Sequence, residues 1–407
     1  MSGPAPTPPL AVTPAEVPSA IIGKPALRWS SRARSIAQIE AELGKIWTSI
    51  SYRTTPGEDG GEERRVAARS SVMNLVVIAG RGEIGERVAA IVEGLTGRHP
   101  SRTIIVSSVD PDGPAWINAQ IEAHCMLPSA TAPETCSELV YMTCGGESGQ
   151  HLSGLVAPLL IHDLPVTAWW PGEPHFDSHA AQDLLPMADR VIVDGSAWSG
   201  DGIAGLVKLA HLPKQYEVAV ADFALLRQAR WREAIASTFD RPNLLPFLGN
   251  LERIEVRYAA VDGTPGAANV VRPLYHVAWL ASRLGMTVEA PVSAGTGLWS
   301  GYDATLRHDR KRIPVSLRPI ESDAPRGTTL AVELYARRGR SELVLEVTAY
   351  AEGVVVMASV DDARLPERRF FAPRRREADL LALTIDAAGQ DRVADEVLAM
   401  TARLVGE

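Results

Sequence analysis

The stretch Leu164–Trp198, LPVTAWWPGEPHFDSHAAQDLLPMADRVIVDGSAW, decides the fold class of this chain. Val166 to Trp170 is an apolar run ending in two adjacent tryptophans, and Pro171-Gly172 then interrupts regular structure. Leu184, Leu185, Met187 and Ala188 suit a short amphipathic helix, and Val191-Ile192-Val193 is a β-branched run. Two apolar strands joined by a helix predict a parallel βαβ unit, because parallel neighbours need a crossover connection. Loops after the carboxyl ends of such strands are where α/β proteins place function. Here those loops carry Trp169, Trp170, Gly172, Glu173, Asp194 and Ser196.

Upstream, the strand Met73–Gly80 (MNLVVIAG), a helix near Ile84–Leu95 and the strand Arg102–Val109 (RTIIVSSV) repeat the pattern. Weaker strands at Ile117–Cys125 and Glu138–Thr143 are expected to pair antiparallel at the sheet edge, and Leu152–Ile161 reads as a helix. Ile36, Ile39, Leu43, Ile46 and Ile50 fall on one helical face, with Ser35 and Gln38 spaced as a capping box. Residues 1–30 are expected to form a disordered tail, since the Pro-, Ala-, Ser- and Thr-rich run to Lys24 has too little apolar surface to offset chain entropy. Thr54–Arg65 reads as a polar loop. Downstream, Ile203–Ala210 and Asp222–Phe239 are helices, the second with Asp222 as N-cap.

Beyond Pro242 the pattern changes. A strand at Arg253–Tyr258 and a helix at Leu274–Leu284, closed by Gly285, precede six strands between Thr287 and Val360. Alternation such as Leu343, Leu345, Val347 marks an antiparallel sheet with one buried face, which helices at Glu377–Ile385 and Gln390–Val405 are expected to cover. The fold class is therefore α/β: a Rossmann-like, mainly parallel sheet with helices over 31–241, then an α+β domain with an antiparallel sheet over 242–407.

The 407 residues leave room for two cores, and the 46% hydrophobic and 22% charged content is that of a globular chain. A net charge of -8 argues against a nucleic-acid scaffold. The longest apolar stretch, Gly154–Trp170, is interrupted by His162, Asp163 and prolines, so no membrane span is expected. The N-terminus has no secretory pattern, which leads to a cytoplasmic expectation. Cys125, Cys136 and Cys144 make no disulfide framework and are expected as reduced strand thiols.

The sharpest chemical motif is Gly80-x-Gly82-x-x-Gly85, which follows a strand and opens a helix as a dinucleotide loop would. The acid that would hold the ribose is missing, since the second strand ends in Ser107-Ser108 and Asp110 lies too far on. Glu83 adds negative charge inside the loop. An NAD(P)-binding oxidoreductase using Gly80–Gly85 stands as the alternative. CGGESGQH (Cys144–His151) could cradle a small anion but has no Walker lysine. His175-x-Asp177-x-His179 reads as surface histidines, and the basic run Arg368, Arg369, Arg374, Arg375, Arg376 as a solvated loop around Phe370-Phe371. No nucleophile–base pair or metal constellation emerges, so no catalytic residue, cofactor or metal is expected.

Leu164-Pro-Val…Trp169-Trp170-Pro-Gly-Glu-Pro…Ala188-Asp-Arg-Val-Ile-Val-Asp194-Gly-Ser196 resembles the glucose-6-phosphate dehydrogenase assembly protein family, known as OpcA. MNLVVIAG with GRHPSRTIIV (Gly97–Val106), Trp231-Arg232 and HVAWLASRLGM (His276–Met286) are similar too, while the Gly80/Gly82/Gly85 pattern and the Pro-rich extension depart from it. The resemblance implies a bacterial, non-catalytic partner of glucose-6-phosphate dehydrogenase. Such a partner promotes the enzyme's oligomeric assembly or activates it allosterically in the oxidative pentose phosphate pathway. Trp169, Trp170, Gly172, Glu173 and Asp177 are the residues expected to meet the dehydrogenase.

Overall fold

The computed structural model describes residues 23–50, 71–80, 82–109, 112–127, 129, 134–264, 266–387 and 391–406, with the backbone of short strands at 54–56, 62–64 and 68–69. The first half runs β1 (Ala26–Ala33), α1 (Ile36–Ile50), β2 (Thr54–Pro56), β3 (Glu62–Arg64), β4 (Ala68–Arg69), β5 (Asn74–Ile78), α2 (Gly82–Glu93), β6 (Arg102–Val109), β7 (Trp116–Met126) and β8 (Thr135–Gly145). It continues with α3 (Leu152–Val156), β9 (Val166–Trp169), α4 (His179–Leu184), β10 (Arg190–Val193), α5 (Ile203–Tyr216) and β11 (Ala219–Asp222). Leu164–Trp198 thus holds β9–α4–β10, a parallel pair with its crossover helix.

These strands build one sheet in the order β1-β7-β8-β6-β5-β9-β10-β11, with β4 beside β8. From β8 to β11 every neighbouring pair is parallel. Numbered along the chain, those six strands lie in the order 3-2-1-4-5-6, the arrangement of dinucleotide-binding folds, which reverses between β5 and β9. The antiparallel strands β7 and β1 finish the edge.

Several boundaries move. The expected tail lies outside the described residues as far as residue 22, but Ala26–Ser30 already belong to β1, because pairing along β7 satisfies backbone groups whatever the side chains. Thr54–Arg65 contains a β2–β3 hairpin. Around Asp222 the expected long helix divides into α6 (Phe223–Leu226), which Asp222 caps, and α7 (Ala229–Phe239).

The remainder comprises β12 (Leu251–Ala260), α8 (Val271–Arg283), β13 (Thr287–Ala294), β14 (Tyr302–His308), β15 (Lys311–Glu321), β16 (Thr329–Arg338), β17 (Ser341–Tyr350), β18 (Gly353–Val360), β19 (Ala363–Arg364), β20 (Arg368–Phe371), α9 (Glu377–Asp386) and α10 (Arg392–Leu404). Gly285 closes α8 at φ +63°, and Met286 N–H bonds back to the Ala281 carbonyl. The second sheet runs β13-β14-β15-β12-β16-β17-β18-β19, with β20 also on β18, and is antiparallel except for β12 with β15. Leu343, Leu345 and Val347 point into the core, as their alternation predicts.

The C-terminal helices do not both cover this sheet. α9 returns to the first one, and Leu380 and Leu381 pack with Val77, Trp169, Ile192 and Phe223. The reason is topological. The link from β6 to β8 passes through strand β7 rather than a helix, which leaves the apolar strip beside α2 without a cover. Arg190 fastens the far end of α9 by donating to the Thr384 and Ala387 carbonyls at 2.7 and 2.9 Å. α10 packs on α8 and α5, with an Arg283–Glu396 ion pair, so one apolar core runs through both halves.

The cysteine expectation also changes. Register in the β7–β8 pair sets Cys125 directly opposite Cys136, and the two form a disulfide. Cys144 stays a buried free thiol, pushed up to about 11 by burial. Among the described residues no helix is long and apolar enough to cross a membrane.

Candidate functional site

In a sheet of this order, ligands bind beyond the carboxyl ends of the strands where the order reverses. Here that crevice lies between the turn after β5 (Gly80–Gly85) and the turn after β9 (Trp170–Glu173). The chain's own side chains bridge it. Ile84, in the first turn of α2, reaches to within 3.5 Å of where a Cβ on Gly172 would sit. Arg87 donates to the Pro171 carbonyl at 3.4 Å and pairs with Glu377 at 3.5 Å.

The glycines of the turn serve packing. A Cβ on Gly85 would lie 2.6 Å from the Tyr141 ring and 3.0 Å from Ser107 Oγ, so only glycine lets α2 come this close to β6 and β8. Tyr141 also donates to the Gly82 carbonyl at 3.3 Å. In CGGESGQH, Gly146 sits at φ +56° in a short 3-10 turn against the Gly113–Ala115 backbone.

The tryptophans divide between the two faces of the sheet, because successive strand residues alternate. Trp169 is 0% exposed under α2 and α9, with Phe223 at 6.1 Å between ring centroids. Trp170 is 4% exposed on the other face, edge-on to Phe176 at 5.6 Å. Neither presents area to a partner in this conformation. Both fix the loop that follows. Gly172 in that loop is half-buried, while Glu173 and Asp177 are exposed. Glu173 accepts from Ser199 N–H at 3.1 Å, and Asp177 pairs with Lys208 of α5. The loop histidines are exposed, and His179 meets His151 edge-on at 5.0 Å. Among the described residues the only His, Cys, Asp or Glu group with metal-ligand proximity is Cys125, Glu134 and Cys136, whose cysteines are joined to each other.

The sequence places Asp194 and Ser196 in a loop after a strand and Asp222 at an N-cap, but does not reveal the polar network that joins them at the ends of β10 and β11. Asp194 accepts from Ser196 Oγ at 2.6 Å and Arg227 at 2.7 Å, and Arg272 of α8 donates to Ser196 Oγ at 3.0 Å. Asp222 is buried, accepting from Gly195 N–H (3.0 Å), Ala224 N–H (2.7 Å) and Tyr275 OH (2.7 Å). Burial, with the charge of Asp194 added, pushes its carboxyl up to about 6. Asn269 ties the Gly195 and Trp198 carbonyls to the start of α8. The arrangement holds the two halves together, and its arginines are already engaged with Asp194 and Ser196. Asp194 and Ser196 by their loop and Asp222 as an N-cap carried a sequence signal; Arg227, Asn269, Arg272 and Tyr275 are too far along the chain to form a motif with them.

Residues 92–211 match the family model described as "Glucose-6-phosphate dehydrogenase subunit N-terminal domain", and residues 218–398 match that of the "C-terminal domain". The OxPP cycle protein OpcA of Synechocystis sp. is 30% identical over 207 residues, which is 50% of this chain; the match spans only 41% of that relative's length. Among solved structures, a 3-ketoreductase from Actinomadura kijaniata matches with a TM-score of 0.44 at 12% identity, over 82% of this chain and 95% of its own. The transcriptional regulator Gal80p of Kluyveromyces lactis matches with a TM-score of 0.43 at 9% identity, over 83% and 88%. With both family models matched in chain order across most of its length, this chain belongs to the OpcA family of glucose-6-phosphate dehydrogenase assembly proteins.

Proposed function

We propose that this protein is a non-catalytic assembly factor and allosteric activator of glucose-6-phosphate dehydrogenase. The observation that carries the reading is the bridged crevice. Where a sheet of this order would take a dinucleotide, Ile84 reaches to Gly172, Arg87 holds the Pro171 carbonyl and Tyr141 covers Gly85. A fold built for cofactor chemistry is thereby left as a scaffold. Family membership supports the choice of partner.

In this reading the half of the chain that carries the first sheet presents the loop after β9, with Glu173 and Asp177 as contact residues around Gly172. The buried Trp169 and Trp170 position that loop without touching the enzyme. Activation requires tighter binding to one conformation or oligomer of the dehydrogenase than to another, since only differential affinity moves that equilibrium. A tenfold shift in apparent affinity corresponds to about 1.4 kcal/mol of such difference.

The test is size-exclusion chromatography of the purified pair, with steady-state kinetics of the dehydrogenase with and without this chain. Co-elution together with a changed KM or kcat is expected. Separate elution at micromolar concentration with unchanged kinetics would rule the reading out. Calorimetry with NADP+ addresses the oxidoreductase alternative, which requires saturable binding by the isolated chain.

A further inference from the structure

A cleft of about 430 Å³ opens between the β9–α4 loop and the second half of α5, away from the bridged crevice. That volume falls within the range of roughly 300–1,000 Å³ typical of small-molecule sites. Its floor is Phe176, the ring that packs against Trp170, and its walls include Lys208, Lys214, Gln182 and Gln215. Lys208 and Gln215 stand seven apart on α5, on the same side as Leu212 between them, so one helical face presents ammonium and amide donors into the opening. Among the lining residues two ammonium groups face one carboxylate, that of Asp177.

We infer that this cleft is a binding site for a small phosphate ester. Asp177 pairs with Lys208 across the cleft, and so occupies in the free chain the place that a ligand anion would take. The two side chains are 69% and 44% exposed, and a pair so open to water contributes about 0–1 kcal/mol. A phosphate dianion, with three acceptor oxygens and a higher charge than the carboxylate, displaces Asp177 at little cost. The space is larger than a bare phosphate needs, and Gln182 and Gln215 offer both donors and acceptors to a hydroxyl-bearing body. Asp177 lies in the loop that leaves β9, so ligand binding breaks its tie to Lys208 while the buried Phe176 keeps the loop in place.

The site is tested on the full chain alone, so its outcome is independent of any role toward the dehydrogenase. Titration calorimetry with glycerol 3-phosphate, inorganic phosphate and glycerol is expected to give saturable 1:1 binding of the ester, weaker binding of phosphate and none of glycerol. The Lys208→Ala/Lys214→Ala pair should weaken the ester by about tenfold or more, and Asp177→Asn should tighten it by about threefold, because it frees Lys208. All three positions are exposed, so thermal melts of the variants should match the parent. Absence of saturable binding by both phosphates, or an affinity unmoved by either variant, would overturn the inference.

Discussion

Replacing Trp169 with alanine separates a core residue from a contact residue. The side chain is fully buried among Val77, Ile192, Phe223, Leu380 and Leu381, which come from both ends of the chain. A buried tryptophan removes roughly 200 Å² from water, which at about 25 cal/mol/Å² is about 5 kcal/mol. Measured Trp→Ala substitutions in cores cost about 3–5 kcal/mol, a large part of the roughly 5–15 kcal/mol that stabilises a typical protein. The loss should also loosen α9, which rests on the same ring. Trp169→Phe keeps an aromatic ring beside Phe223 and deletes an indole N–H that has no acceptor in the structure. Its cost should therefore be only about 1–2 kcal/mol. Urea unfolding followed by near-ultraviolet circular dichroism gives both numbers, and calorimetry against the dehydrogenase gives binding. Trp169→Phe is expected to bind as the parent does. A Trp169→Ala protein that kept the parental unfolding midpoint yet lost the dehydrogenase would refute the core assignment.

Gly85→Ala should lower the melting temperature, since overpacking against Tyr141 costs about 1–3 kcal/mol and exceeds the helix-propensity gain of about 1 kcal/mol. Gly82→Ala, whose Cβ would lie 3.9 Å from the Tyr141 hydroxyl, should melt like the parent; equal melts for both would show that the Tyr141 ring yields. Arg102→Met removes a guanidinium from Glu138, a fully buried carboxylate that also accepts from Trp47 Nε1 at 2.5 Å, and should cost up to about 3–5 kcal/mol in urea titration. Adding Glu138→Gln to that variant should recover much of the loss; no recovery would locate the cost in packing instead. The carboxyl of Asp222 is raised when folded, so the folded state binds its proton more tightly than the unfolded chain does. Its contribution to stability is full below the ordinary carboxylate range and is lost as pH rises through about 6. Asp222→Asn, which can still accept from Gly195 and Ala224 N–H, should flatten that part of the stability–pH curve, and an unchanged slope would assign the titration elsewhere.

Local pattern was enough for the central strands of both sheets and for α8, because each of those signals lies within one element. The apolar run before Pro171, the β-branched run at Val191–Val193 and the glycine at 285 mark where β9, β10 and α8 end or lie. Two βαβ patterns in succession already imply a doubly wound sheet. What local pattern could not reveal is which distant segment supplies a missing cover. α9 is apolar on one side wherever it packs, and only the strip left open beside α2 draws it back across nearly the whole chain.

The candidate site divides along the same line. That Glu173 and Asp177 face water was legible, because charged residues around a Pro-Gly turn do so almost by composition alone. The tryptophans beside them were expected as contacts, and the tertiary structure buries both. Whether a strand residue meets solvent depends on what lies over its face, and here α2, α9 and Phe176 supply that cover. In the same way GxGxxG spacing admits a phosphate cradle or a close helix packing, and Tyr141, arriving from β8, decides for packing. Sequence by itself thus determined most of the elements, the parallel core and the family. Tertiary structure decided which of its conspicuous residues are buried, because burial is a property of contacts between segments that the chain order keeps far apart.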